Sequence, residues 1–403
     1  MINIESIRYS LRNLNHRKGR SLLTILSIFV GIATIFIFIS FGAGLYSYIQ
    51  ELSTGTAVNK ILIQPKGIGM PGLDDTFALT EKDLEIVEKT SGVAEATGLS
   101  FKTVEVLRDG KKRYTFLIGY NPEKGRLLFE LSDVGIDRGK WLDKDDSGRV
   151  LAGYNFQKRD IIFPRQYDLN DKIEINGEEL KITGFIEEIG SPPDDAQLYT
   201  TEDQYLELFP GNKTYGWIVA EVKDVNEIDK VIEKIEEKLR RNRGLEEGKE
   251  DFFIQSYEDL IDSFSGALNI VIGFIALIAL ISVLVSAVNT ANTMITSVLE
   301  RIKEIGVMKA VGSPNSSVFN IFLFESSFLG FVAGVIGVIL GYGITSIVGN
   351  ILESLGWGFL APYYHPYLFI GCIAFATITG AISGVIPAVK ASRIKPVDAL
   401  RYE

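Results

Sequence analysis

The sequence predicts an α-helical membrane protein with four transmembrane helices and a large α+β extracytoplasmic domain, made of an α/β lobe and an inserted β-rich lobe. Mean hydropathy is +0.18 although 23% of the residues are charged, so apolar and polar segments must alternate along the chain. Four runs almost free of Asp, Glu, Lys and Arg each exceed the roughly 20 residues that cross a hydrocarbon core. They are residues 21–50, 263–299, 315–352, where Glu325 is the one charge, and 354–389. The polar block between the first two runs has an ordinary globular composition.

The distribution of charge predicts the orientation of the spans. Residues 1–20, 300–309 and 390–403 lie on one side of the four spans and carry net charges of +4, +1 and +2, whereas residues 51–262 carry −15. Cytoplasmic loops of membrane proteins are enriched in Lys and Arg. We therefore expect a multi-pass protein of the cell membrane with both termini in the cytoplasm and residues 49–262 outside.

These signals divide the chain into consecutive segments. In order, they are a cytoplasmic amphipathic elbow helix (1–20), transmembrane helix 1 (21–48), the extracytoplasmic core domain (49–262), transmembrane helix 2 (263–293), a cytoplasmic coupling segment (294–314), transmembrane helix 3 (315–348), a short extracytoplasmic loop (349–366), transmembrane helix 4 (367–388) and a cytoplasmic tail (389–403). The apolar part of the first span is about 21 residues long, which is longer than the 7 to 15 of a typical signal peptide. The first span is therefore expected to stay in the mature protein.

The first segment is predicted to lie in the cytoplasmic membrane interface. Its apolar residues recur at helical spacing while its arginines lie off that stripe, which is typical of an interfacial helix. The stripe consists of Ile4, Ile7, Leu11 and Leu14. The alternative is that the basic residues serve only to determine topology.

The outer domain alternates strand and helix signals. Strands are predicted over residues 59–64, 101–107, 114–120, 150–153, 172–175, 180–186 and 251–256, with tight turns at Asp109 with Gly110 and at Asn176 with Gly177. Thr80 followed by Asp83 is a helix start signal, and the apolar periodicity of residues 225–240 predicts an amphipathic helix. This order of elements indicates a β-rich lobe inserted between two α/β parts.

Few polar residues interrupt the predicted spans. Glu325 lies near the cytoplasmic end of span three, and Asn289 and Asn292 lie at the end of span two. Glu325 either has a structural role, by bonding to a neighbouring helix or by snorkelling to the membrane interface, or takes part in coupling, and the same alternatives are open for the two asparagines. Span three also carries glycines every three or four residues, a spacing that lets helices approach closely in lipid. They are Gly330, Gly334, Gly337 and Gly341, and the helix they face belongs either to the same subunit or to a second one.

The sequence contains no recognisable catalytic constellation. No G-x-x-x-x-G-K-[ST] phosphate loop occurs, and residues 67–72 match G-x-G-x-x-G only formally, because an internal proline and the lack of a following helical pattern favour a flexible loop. His16, His365 and Cys372 are too few and too scattered for a zinc site. We therefore expect no enzymatic activity in this chain, no metal, no cofactor and no nucleic-acid partner.

The most distinctive segment joins the second and third spans. Mixed charges and an apolar face formed by Leu299, Ile302 and Ile305 predict a short amphipathic helix that ends at Gly312 and Pro314. Such a helix can seat in a groove of a partner protein. The candidate coupling residues are Glu300, Arg301, Glu304, Ile305, Gly306, Lys309 and Gly312.

The same segment resembles a known family. The run E-R-x-x-E-I-G-x-x-K-A-x-G over residues 300–312, F-L-x-E over 322–325 and P-x-x-A-L-R-Y-E over 396–403 are similar to the MacB-like permeases of ABC transporters, which carry an FtsX-type membrane domain. Weaker marks in the outer domain are G-K-W-L at 139–142, V-L-A-G at 150–153 and I-T-G-F at 182–185. The resemblance covers nearly the whole chain, so residues 49–262 are expected to form a MacB-like extracytoplasmic core domain.

The resemblance implies a non-catalytic permease subunit of an ABC-type export or mechanotransmission complex. In such complexes a cytoplasmic ABC ATPase drives movements of the extracytoplasmic domain without a continuous channel through the membrane helices. Because this chain contains no phosphate loop, the ATPase is expected to be a separate subunit that docks on residues 300–312. A homodimer or heterodimer of permeases in the lipid membrane, and an unknown extracytoplasmic substrate or partner, are also implied. The alternative function is a membrane receptor or regulator that controls an extracytoplasmic partner without transporting a substrate.

Overall fold

The computed structural model describes residues 18–53, 57–66, 78–131 and 133–400. They divide into two compact units, a membrane unit drawn from residues up to 45, 268–350 and from 361 onward, and an outer unit drawn from 46–267 and 351–360. Most of the predicted elbow helix and the whole of the loop 67–72 lie outside the described residues.

The described residues form the following elements. The helices are α1 (Lys18–Ser53), α2 (Glu81–Glu88), α3 (Arg126–Phe129), α4 (Glu202–Leu208), α5 (Ile228–Arg243), α6 (Tyr257–Glu300), α7 (Ile302–Ala310), α8 (Asn315–Ser354), α9 (Pro366–Ser392) and α10 (Pro396–Leu400). The strands are β1 (Lys60–Pro65), β2 (Leu79–Thr80), β3 (Val93–Arg108), β4 (Lys111–Tyr120), β5 (Ile136–Gly139), β6 (Arg149–Ala152), β7 (Lys172–Ile175), β8 (Glu178–Ile186), β9 (Leu198–Thr201), β10 (Thr214–Tyr215), β11 (Trp217–Val222) and β12 (Phe252–Ser256).

Helices α1, α6, α8 and α9 correspond to the four predicted spans. Within the described residues, these four are long and apolar enough to cross a membrane. Helix α6 begins at Tyr257, ahead of the apolar run, because Ser256 and Asp259 form reciprocal caps. The Ser256 hydroxyl accepts a hydrogen bond from the Asp259 N–H at 2.9 Å, and the Asp259 carboxylate accepts one from the Ser256 N–H at 3.2 Å. A helix continues as long as its backbone groups are satisfied, so its ends need not coincide with the limits of the hydrocarbon.

The four glycines of the predicted stripe on α8 make close contacts within the membrane unit. Gly330 and Gly334 lie against α9, whereas Gly337 and Gly341 lie against α1. A Cβ added at Gly334 would lie 2.8 Å from a methyl group of α9, and one at Gly341 would lie 3.0 Å from the ring of Phe36 on α1. All four glycines of the predicted stripe therefore permit close helix packing inside one subunit.

The outer unit is organised around a ten-stranded mixed sheet. Its strand order is β12-β1-β11-β3-β4-β9-β6-β8-β5, and β7 pairs with β3 and β8. Helices α2 and α5 contribute Val87, Val231, Ile235 and Leu239 to the core of the α/β lobe, while a second core fills the β-rich lobe. The predicted fold class is confirmed. Strand β3 links the two lobes, because its first half pairs with β11 and its second half with β4.

Local signals in the outer unit match the structure closely. Asp109 and Asn176 have φ of 50° and 52°, so each starts a tight turn with its following glycine, as predicted. Thr80 and Asp83 form the predicted capping box of α2. Strand β3, however, begins at Val93 rather than at residue 101, because its first half is stabilised by pairing with β11, which is distant in sequence.

Candidate coupling site

Helix α7 packs against the end of the membrane helix bundle. It is nine residues long, and Ile305 is fully buried in a cluster to which α6, α8 and α9 all contribute. The other buried members are Met294, Val298, Val318, Phe322, Ala388 and Ala391. The segment is thus an integral part of the membrane unit and not a free loop.

A buried ion pair holds the start of α7. Arg301 donates to the Glu325 carboxylate of α8 at 3.1 Å, and the two side chains are 3% and 7% exposed. The guanidinium also lies 5.2 Å from the ring centroid of Phe322 and donates to Glu304 at 3.1 Å. The Glu325 carboxylate therefore bonds across two elements. Arg301, which immediately precedes α7, holds the start of that helix against α8.

A lysine holds the other end of α7. The Lys309 ammonium donates to the backbone carbonyls of Ser392 at 2.6 Å and of Ile394 at 2.8 Å. The Ser392 carbonyl is at the C-terminal end of α9 and the Ile394 carbonyl lies two residues beyond it. The last carbonyls of a helix have no intrahelical partner, and a positive charge is favourable there. Arg301 and Lys309 together connect α7 to two membrane helices.

The predicted apolar face is only partly correct. Ile305 is buried, but Leu299 is 49% exposed and Ile302 is half-buried. The reason is that Arg301, with φ −111° and ψ 16°, interrupts the helix between α6 and α7, so these residues do not share one continuous helical face. Sequence periodicity assumes an unbroken helix and cannot reveal such a break.

The candidate coupling residues divide into two groups. Arg301, Ile305 and Gly306 are buried and Lys309 is half-buried, so they position the segment, while Glu300, Glu304 and Gly312 are exposed. Three valines that the sequence did not point to are also exposed. They are Val307 and Val311 of the segment and Val397 of α10, with exposures of 53%, 85% and 66%. We call Glu304, Val307 and Val311 the exposed ridge. The four-residue spacing of Val307 and Val311 could have signalled it, but apolar residues on both sides of α7 hide the pattern.

The polar residues of α6 have different environments. Asn289 donates to the Ser27 hydroxyl of α1 at 2.7 Å, and the Ser286 hydroxyl donates to the Ser27 carbonyl at 3.0 Å. Asn292 is exposed, and its backbone carbonyl accepts from the Thr296 hydroxyl. Asn289 therefore joins two helices, as side-chain amides in membrane spans commonly do.

The outer unit holds a buried carboxylate that the sequence analysis did not single out. Asp195 is 1% exposed and accepts hydrogen bonds from the backbone N–H groups of Ile189 at 2.8 Å and Gly190 at 3.0 Å. Burial, reinforced by the nearby charges of Glu188 and Asp194, raises the pKa of Asp195 to about 6 despite these hydrogen bonds. The carbonyl of Gly190 accepts from the N–H of Phe359, so this loop also contacts residues 351–360.

No group of three or more His, Cys, Asp or Glu side chains that could hold a metal occurs in the described parts of the chain. Cys372 is buried and unbridged.

Two family models match the sequence. Residues 276–396 match the FtsX-like permease C-terminal family, and residues 21–238, more than half of the chain, match the MacB-like periplasmic core domain. An uncharacterized ABC transporter permease of Methanocaldococcus jannaschii is 30% identical over 398 residues, which cover 98% of each chain. The macrolide export ATP-binding/permease protein MacB of Neisseria gonorrhoeae is 28% identical over 411 residues, which cover 99% of this chain and 61% of MacB.

Among solved structures, the periplasmic region of MacB from Actinobacillus actinomycetemcomitans is similar to 54% of this chain, over 97% of its own length, with 19% identity and a TM-score of 0.43. The family assignment depends on the sequence matches, which extend over both the membrane unit and the outer unit. The chain therefore belongs to the MacB-like family of ABC transporter permeases and combines an FtsX-like membrane domain with a large extracytoplasmic domain.

Proposed function

We propose that this permease couples ATP hydrolysis by a separate cytoplasmic ABC ATPase to movements of its extracytoplasmic domain, in an export or mechanotransmission complex. The observation that supports this most strongly is the exposed ridge. Val311 is 85% exposed on a segment that is otherwise held in place by buried contacts. Apolar side chains that are ordered and yet exposed are typical of a surface that a partner covers.

The contacts of α7 provide a path for force. A partner that pushes on the ridge moves α7, which is bonded to α8 through Arg301 and Glu325 and to the end of α9 through Lys309. Helix α6 is unbroken from Tyr257 to Glu300, and an internally hydrogen-bonded helix transmits a displacement along its length. In this proposal the termini and α7 are cytoplasmic, in agreement with their positive net charge.

We further propose that two permease chains, identical or different, assemble in the lipid membrane. The long helix α6 leaves apolar residues exposed along its length, including Ile270, Phe274 and Val285 at 63%, 63% and 65%. Lipid or a second permease covers these side chains. A dimer would provide one docking ridge for each of two ATPase subunits.

The test replaces a ridge valine and measures ATPase stimulation. The Val311→Asp variant places a charge in the proposed interface, and we expect the permease-stimulated ATP turnover of the reconstituted complex to fall at least tenfold. Val225→Asp is the matched control, because Val225 is an exposed valine of the outer unit that lies far from the ridge in sequence and outside the membrane unit.

Full stimulation by the Val311→Asp and Val307→Asp variants would place the ATPase on another surface. A regulator that acts without an ATPase would also retain its cellular activity in both variants, so the same pair distinguishes the two functions. Glu304→Lys extends the test to the charged part of the ridge.

A further inference from the structure

The outer unit contains a cavity beside the G-K-W-L run. Its volume is about 690 Å³, within the range of sites that hold small molecules. It lies next to α3 and the loop that follows, and Trp141 of the run contributes one part of its wall. None of the contacts of the proposed coupling site uses this cavity.

Aromatic side chains form the apolar part of the cavity. Trp141 is 40% exposed, and its ring centroid lies 4.3 Å from that of Phe129. Phe129 is buried and packs edge-on against Tyr120 at 5.4 Å, so the support beneath the indole is rigid. A half-exposed indole on such a support can bind an apolar group, and the face of its ring attracts a cation.

The charges that line the cavity are mostly negative. Five carboxylates line it, together with the guanidinium of Arg126. That guanidinium is already engaged, since it lies 3.0 Å from Glu130 and 2.6 Å from Glu221. Glu123 and Asp143 also have partners, Lys144 at 3.5 Å and Lys140 at 3.1 Å.

Asp133 and Glu187 are the two remaining carboxylates. Within the described residues, neither has a Lys or Arg nitrogen within 4.0 Å. Glu187 accepts a hydrogen bond from the Gly135 N–H at 2.8 Å, which fixes its position in the wall. The cavity therefore combines a rigid aromatic surface with two carboxylates whose charge is not neutralised by an adjacent cation.

The cavity is also connected to the base of α6. The hydroxyl of Tyr257, the first residue of that helix, donates to the Leu131 carbonyl at 2.9 Å, two residues before Asp133. This hydrogen bond joins the start of α6 to the chain two residues before a carboxylate that lines the cavity.

We propose that this cavity binds a small organic cation that carries an aromatic or other apolar group, such as a quaternary ammonium or a protonated amine. The apolar group packs on Trp141, and the positive charge is stabilised by Asp133 and Glu187. An anion is excluded because it would face the same carboxylates, and a neutral molecule lacks the electrostatic part of the attraction. This proposal does not depend on the ATPase coupling proposed above.

The test uses the full chain in detergent or lipid nanodiscs and calorimetric titration with benzyltrimethylammonium. We expect it to bind at least tenfold more tightly than benzyl alcohol or phenylacetate, and more weakly as salt is added. The Trp141→Ala variant should lose about fivefold or more in affinity. Asp133→Asn combined with Glu187→Gln should lose about tenfold at low salt, because the amides keep the shape and remove the charge.

Two control variants match these changes elsewhere on the outer unit. Tyr114→Ala removes an aromatic ring that is 70% exposed, and Glu233→Gln neutralises an exposed carboxylate of α5. Both should bind as the original chain does. If Trp141→Ala does not fold, Trp141→Phe keeps the stacking on Phe129 and should reduce affinity less than the charge variants.

Three results would overturn the proposal. They are equal affinity for benzyltrimethylammonium and benzyl alcohol, unchanged affinity in the double charge variant, and no binding at millimolar concentration. Binding that requires a second protein would also overturn it, since the cavity would then be an interface. ATPase stimulation by the ridge is measured separately, so its failure is distinguishable from failure here.

Discussion

The buried pair of Arg301 and Glu325 offers the sharpest test of how α7 is held. Replacing Glu325 by Ala leaves the guanidinium of Arg301 in a site where it is only 3% exposed. We expect α7 to detach from the bundle more often, and permease-stimulated ATP turnover to fall as a result.

The size of the effect follows from the environment of the pair. Removing one partner of a buried ion pair costs about 3–5 kcal/mol. Glu304 remains 3.1 Å from Arg301 and is 54% exposed, so part of the loss is compensated, and about 3 kcal/mol is expected. At about 1.4 kcal/mol per factor of ten, local opening of α7 should increase about 100-fold.

The assay is amide hydrogen exchange of residues 302–310 in the purified protein, followed by ATPase stimulation in the complex. Local opening is what such exchange reports. The control is Glu353→Ala, which removes an exposed glutamate near the end of the same helix. Arg301→Met combined with Glu325→Leu should restore protection, because well-packed apolar side chains can replace a buried ion pair at little cost.

Unchanged exchange in the Glu325→Ala variant would refute the reasoning that this pair holds α7. The double variant decides between the two roles considered for Glu325. Restored protection together with restored stimulation indicates a structural role, and restored protection without stimulation indicates that the charge itself takes part in coupling.

Three further predictions concern topology, transmission and pH. In a Cys372→Ser background, a cysteine at Asp194 should be labelled in intact cells and one at Lys395 should not; the reverse pattern would invert the orientation. A few Gly-Ser residues inserted after Ser256 should abolish cellular function while membrane insertion and ATP turnover persist, because a flexible linker dissipates force; retained function would count against mechanical coupling. Since the pKa of Asp195 is raised to about 6, its folded form binds a proton that the unfolded chain has lost, so its contribution to stability should decline as pH rises from about 4 to 6. Thermal melts of Asp195→Asn should show a smaller decline, and an identical pH profile would contradict this.

The features that the sequence determined by itself are those that depend on neighbouring residues. The four spans follow from the lengths of apolar runs, the two hairpin turns from Asp109 and Asn176 with their glycines, and the start of α2 from Thr80 and Asp83. Each of these signals acts over a few residues or along one helix, where the cost of burying charge or adopting a positive φ is set locally.

Other features were decided only by the tertiary structure. The first half of β3 is a strand because β11 pairs with it, and the four glycines of the predicted stripe on α8 face α1 and α9 of the same chain. Glu325 bonds to Arg301, which lies 24 residues earlier at the break between α6 and α7, and Val307 and Val311 are exposed although Ile305 of the same helix is buried. The physical reason is that burial, ion pairing and close packing depend on which elements are adjacent in space. That adjacency cannot be predicted from residue spacing along a single segment.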